Sequence, residues 1–240
     1  VAVGAAFPKE QGPAWVFDHL SRSGTDAFIA GYGESLLSIM APDAIFVDSF
    51  EMIGQLPWTP DFLSAFQNET GYDLTVYLPY VFLNGGETKY GGMFDTEPSL
   101  LFASEIGERV REDYEDVRAS LFLSECIEPL QEFASSQGTM LRLQAHGGYG
   151  HVLDDYAVAD IPEAEGLFAG GSMDFLKLAS SAGNISNRKI VSSESFIKID
   201  FNYNRLKIDD YERLAGNAFA AGINQIVFHG YPYEFSFLEN

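Results

Sequence analysis

Three short runs in this chain drive apolar or β-branched residues straight into carboxylates: IFVDSFE at 45–51, ADIPEAE at 159–165 and KIVSSESF at 189–196. Longer stretches with helical spacing separate such runs, and that alternation is the pattern of βα units around a parallel sheet. Candidate strands are 14–20, 44–50, 139–147, 159–163, 189–196 and 224–231. The fold class expected is α/β, a (β/α)8 TIM-type barrel. Six strands fall short of the eight such a barrel needs, so the barrel is expected to be incomplete in this chain.

Helix signals agree with this reading. TPDFLSAFQNETGYDL carries Thr59 as an N-cap, Pro60 at the first helical position, Phe62, Leu63 and Phe66 on one face, and Gly71 as a stop. ASEIGERVREDYEDVRASLFLSECIEPLQEFASSQG spaces Ile106, Val110, Tyr114, Val117 and Leu121 helically, with Pro129 expected to kink it or mark a boundary. DYERLAGNAFAAGINQIVF places Tyr211, Leu214 and Phe219 inward before Gly222. Cys126 has the spacing of a core residue on its helix, and a lone cysteine makes no intrachain disulfide.

A formal charge of -21 opposes binding to nucleic acid or an anionic membrane surface and favours neutral or cationic ligands. No apolar run reaches the roughly 20 residues of a membrane span. The chain contains no GxGxxG, no phosphate-binding Gly-Lys-Ser/Thr loop, no GxSxG elbow and no HExxH, which leaves nucleotide cofactors, α/β-hydrolase chemistry and zinc hydrolysis unsupported.

Barrel chemistry lies at the C-terminal ends of the strands. Asp18 and His19, Asp48 and Glu51, His146, Glu163 and Glu165, Glu194, and His229 all fall at or just past the proposed strand ends. A helix cap or a solvated surface position is the competing reading for Asp18, Asp48, Glu163 and Glu165, and a buried structural histidine for His146 and His229. Trp58, Tyr72, Tyr77, Tyr149, Tyr156, Tyr231 and Tyr233 are available to stack on sugar faces. Two carboxyl groups flanking a glycosidic bond suffice to hydrolyse it, one donating a proton to the leaving oxygen and the other activating water or attacking carbon. Glu51 would be one of that pair, with Asp48 beside it.

Taken together, DHLS (18–21), FVDSFE (46–51), WTPDFLSAF with GYDLTVYLP (58–79), RLQAHGGYG (142–150), ADIPEAE, SSESF and FHGYPY resemble glycoside hydrolase family 106, the α-L-rhamnosidases with a catalytic (β/α)8 barrel. The resemblance implies removal of terminal α-L-rhamnosyl residues with inversion, assisted by calcium. It puts the general acid on Glu51 and the general base on Glu194, with Glu163 and Glu165 as calcium ligands. Substrate contacts are expected from Asp48, His146, Asp160, His229, Trp58 and Tyr231.

An inverting pair predicts carboxyl groups roughly 6.5 to 9.5 Å apart. Family members are much longer, so residues 1–240 are expected to form a single barrel domain cut from a multidomain enzyme. Secretion or a periplasmic location is what the family's substrates suggest. A glycosidase for another sugar, or a non-catalytic carbohydrate-binding protein, remain the alternative readings.

Overall fold

In the computed structural model, the described residues are 16–40, 42–50, 57–82, 105–167, 171–197 and 206–229. They fall into two compact units. One takes the described residues within Val1–Asp43, Phe50–Thr139 and Gly147–His151, and the other those within Ala44–Ser49, Met140–His146 and Val152–Asn240.

The first unit is helical: α1 (Arg22–Phe28), α2 (Glu34–Leu37), α3 (Phe62–Thr70), α4 (Leu78–Phe82), α5 (Glu105–Phe122) and α6 (Glu128–Ser136). A π turn, Leu123–Ile127, joins α5 to α6. Its position answers the expectation about Pro129. Proline has no N–H to donate to the carbonyl four residues back, that of Glu125. The Thr25 hydroxyl donates to the Glu125 carbonyl instead, at 2.6 Å, and so fastens α1 to the helix that proline interrupts. Cys126 is fully buried in this turn, as its spacing predicts.

Three local expectations in this unit are corrected. α3 starts at Phe62 with Asp61 in the cap position, because Thr59 to Asp61 form a turn in which the Phe62 N–H donates to the Thr59 carbonyl. Phe62 and Phe66 are fully buried, but Leu63 is exposed on the other side of the helix.

The expected strand 14–20 is the third correction. Its described part, residues 16–20, is irregular and ends in a turn. Asp18 causes this locally: its carboxylate accepts the Leu20 N–H and its carbonyl accepts the Ser21 N–H, bonds that a strand would direct to a neighbour.

The second unit holds one sheet of five parallel strands in sequential order: β1 (Ala44–Val47), β2 (Met140–Leu143), β3 (Ile161–Glu165), β4 (Ser192–Ser195) and β5 (Gln225–Phe228). The helices α7 (Val152–Val158), α8 (Met173–Ile185) and α9 (Ile208–Ala220) connect β2 through β5. Parallel strands in chain order with helical crossovers are the wall of a β/α barrel. Closure into eight strands is not seen among the described residues.

β1, β2 and β4 are shorter than their sequence signals, β4 losing its apolar start and keeping Ser192–Ser195 in the ladder, while β3 has the expected length but lies two residues later, at Ile161–Glu165. Glycine sets the helix-to-strand turns: Gly138 (φ +71) follows α6 and Gly222 (φ +94) follows α9, a left-handed conformation that suits glycine. The next N–H then closes back on the helix, Thr139 on Ala134 and Ile223 on Ala218. Phe219, expected inward, is instead exposed, and Ala218 takes the buried position on α9.

Alternation sorts the sheet into two faces. Pro162 faces α8, where a Cβ on Gly183 would meet Val191 at 2.7 Å and Pro162 at 3.8 Å, so only glycine lets this helix sit so close. The opposite face of β3 carries Glu163 and Glu165, in register with Ser192 and Glu194 of β4.

α7 contributes an unusual group. Asp155 is fully buried, and neither carboxylate oxygen has a hydrogen-bond partner among the described residues. Burial, aided by Asp154, pushes its carboxyl from 3.8 up to about 8. Well below pH 3.8 the group is protonated in both states, so its titration has no effect on stability there. As pH rises towards 8 the unfolded chain releases the proton while the folded chain retains it, so stability falls over that window. Asp155→Asn is therefore expected to raise the melting temperature over the parent by about 5 °C at pH 8 and by little at pH 4. A gain independent of pH, measured by thermal unfolding at both values, would refute this account.

Candidate active site

The polar face of the second unit gathers carboxylates at the C-terminal ends of β3 and β4. Glu163 is wholly buried. Gln144, just past β2, donates from Nε2 to Glu163 Oε1 at 3.1 Å, and the Ser192 hydroxyl donates to Oε2 at 2.6 Å. Arg142 Nε lies 3.1 Å from Oε2, within ion-pair distance although its N–H is not aligned for a hydrogen bond. The guanidinium also lies 4.1 Å above the Phe46 ring. Burial pushes the Glu163 carboxyl up, while Ser192, Gln144 and Arg142 hold it down.

Glu194 differs in being partly open: its side chain is 14% exposed, so water can reach it. The same Gln144 Nε2 donates to Glu194 Oε2 at 2.7 Å. His229, at the end of β5, bonds through Nδ1 to Glu194 Oε1. The two Glu194 oxygens are thus engaged from the end of β2, two strands away, and from the end of the neighbouring β5.

Glu165 and His146 form a second pair. His146 Nε2 lies 3.1 Å from Glu165 Oε2, and its Nδ1 lies 3.2 Å from the Tyr156 hydroxyl. That hydroxyl donates its one hydrogen to the Glu163 carbonyl, so it can only accept from His146 Nδ1–H. Tyr156 is fully buried in this role, which corrects its expected availability for sugar stacking.

The other residues predicted from sequence have the following surroundings. Asp48 is exposed just past β1 and accepts the Ser49 N–H. Asp160 accepts the Leu141 N–H at 3.0 Å and pairs with Arg188 at 3.5 Å, so both its oxygens serve the fold. Trp58, in the helical unit, packs on Phe62 with ring centroids 4.8 Å apart. In that unit too, burial lowers the His19 imidazole to about 4, which leaves it neutral at pH 7. Glu51 and Tyr231 lie outside the described residues.

This geometry belongs to a recognisable lineage. The sequence profile of glycoside hydrolase family 106, alpha-L-rhamnosidase, matches residues 9–233. The chain belongs to this family. Among solved structures, the rhamnosidase from Novosphingobium sp. PP1Y has a similar fold, with a TM-score of 0.72 at 20% sequence identity. The match covers 96% of this chain and 22% of that one, so the chain spans under a quarter of that rhamnosidase. No curated protein sequence matches it.

For a rhamnosidase-family chain, calcium is the cofactor to test against the residues. Calcium takes six to eight oxygen ligands. Around Glu163 the neighbours are an amide N–H, a hydroxyl donor and a guanidinium, groups that satisfy a carboxylate without any metal. Glu165 is occupied by His146, and no group of three His, Cys, Asp or Glu suited to a metal is found among the described residues. These residues by themselves do not fit a calcium ion.

Sequence reasoning passed over Gln144, Arg142 and Ser192. All three lie inside the stretches RLQAHGGYG and SSESF, and their alternation with apolar or small neighbours was the available signal.

Proposed function

We infer that this chain supplies part of the active site of an α-L-rhamnosidase that removes terminal α-L-rhamnosyl residues from glycosides or polysaccharides with inversion. Family membership supports the glycosidase class. The observation that carries the assignment of a base is Glu194, a partly open carboxylate at a strand end, engaged through both oxygens by Gln144 and His229.

In the proposed reaction Glu194 takes a proton from water as the water oxygen bonds to the anomeric carbon. Glu51 gives a proton to the glycosidic oxygen as the bond to it breaks. Water is consumed, the charges on the two carboxyl groups exchange, and rhamnose is released first as its β anomer. His229, 58% exposed beside Glu194, is placed to meet substrate as well as to orient the base. Calcium assistance is an expectation of the family, as is a secreted or periplasmic location.

The test is release of nitrophenol from 4-nitrophenyl α-L-rhamnoside by the protein as encoded, set against other 4-nitrophenyl glycosides, with NMR of the first-formed anomer. Turnover of the rhamnoside giving β-rhamnose first is expected. α-Rhamnose first would refute inversion, and turnover of only another glycoside would refute the sugar assignment. Activity lost to a chelator and restored by Ca2+ would establish the cation, whereas activity indifferent to chelation would remove it.

A further inference from the structure

The geometry points to Gln144 as the positioning residue of Glu194, an inference that rests on the proposed role of Glu194 as base. Gln144 is fully buried, and its single amide nitrogen serves two carboxylates, Glu163 Oε1 at 3.1 Å and Glu194 Oε2 at 2.7 Å. Both bonds leave from the NH2 group, so the amide nitrogen faces the two acids and Oε1 faces away from them.

That orientation has a cost which reveals what it is for. Gln144 Oε1 is buried with no hydrogen-bond partner among the described residues. A buried unpaired acceptor opposes folding, and a core that needed only to fill this space would do better with an apolar side chain of the same length. What the amide accomplishes is a bridge. It spans from the end of β2 past β3 to β4 and fixes the Glu194 side chain relative to Glu163, whose position Ser192 and Arg142 already secure.

A neutral donor also suits the task. It immobilises the carboxylate without setting a positive charge against it, while Arg142 lies against Glu163. With Oε2 held by Gln144 and Oε1 by His229, Glu194 is held in a single orientation, with water able to approach from its exposed side. Pre-orientation of this kind acts on the chemical step and leaves the binding of the sugar largely untouched.

The test uses the protein as encoded, with 4-nitrophenyl α-L-rhamnoside as probe. Gln144→Met keeps the length of the side chain and removes the donor. It is expected to lower kcat by about 10- to 100-fold, the size of one hydrogen bond to a charged group, with KM changed by less than about threefold. Combined with Glu194→Gln, the same substitution is expected to add little further loss, because its effect acts through that carboxylate.

If Gln144→Met does not fold, judged by thermal unfolding, Gln144→Asn replaces it: the amide is kept but is one methylene too short to bridge both acids. An unchanged kcat, or equal losses in the parent and Glu194→Gln backgrounds, overturns the inference while leaving the base in place. Full activity in Glu194→Gln alone overturns the base and the inference together.

Discussion

Glu194→Gln is expected to lower kcat/KM on 4-nitrophenyl α-L-rhamnoside by about three orders of magnitude, within the range that general-base catalysis supplies. The substitution preserves volume and still offers hydrogen-bonding atoms to Gln144 and His229, so folding should survive. What disappears is the capacity to accept a proton from water. A nitrophenyl leaving group needs little acid assistance, so the loss reports on the base. Glu51→Gln should then be milder on this substrate than on a rhamnoside with a poor leaving group. Steady-state kinetics on both substrates checks the pair of roles, and a Glu194→Gln enzyme within tenfold of the parent would end the assignment.

The second large effect falls on stability. Arg142→Met should lower the melting temperature by about 10 °C, the size of the ~3–5 kcal/mol lost when one partner of a buried ion pair is removed. Glu163 is wholly buried, and the Arg142 guanidinium is the cation lying against it in the second unit. Methionine retains much of the contact with Phe46 and so isolates the charge.

The deficit should also depend on pH. Without the guanidinium, burial raises the Glu163 carboxyl further, so protonation relieves the strain at low pH and the gap from the parent widens as pH rises. Thermal unfolding at pH 5 and pH 8 measures this. Glu163→Gln in the Arg142→Met background should recover part of the loss, and a drop of the same size in that background would show that the pair is not its cause.

Much of this architecture was legible because apolar runs ending in polar residues have one economical interpretation, a strand whose tip faces a site. β3 and β4 bring Glu163, Glu165 and Glu194 onto one face of the sheet as that rule expects, while past β1 Asp48 is exposed and Glu51 lies outside the described residues. The rule misreads residues 16–20 because Val16, Phe17 and Leu20 have strand-like composition, while the decisive event is Asp18 capturing the backbone two and three residues on.

Helical spacing likewise identified α3 and α9 but could not tell Leu63 or Phe219 from their buried neighbours, since which edge of an apolar stripe faces solvent depends on what packs against it. Gln144 was invisible for another reason. An amide has no charge to flag it, and its meaning comes only from two acids, 19 and 50 residues further along the chain, meeting at its nitrogen. The sequence could nominate the acids. It could not nominate the neutral group between them.

Pro129 carries a wider consequence. A helix normally keeps its hydrogen bonds to itself, and its stability is then a private matter. Here a missing N–H leaves the Glu125 carbonyl to be taken by Thr25, 100 residues earlier in the chain. The imperfection in one helix is what gives another its address: α1 is moored by a bond that an unbroken helix would have had no reason to share.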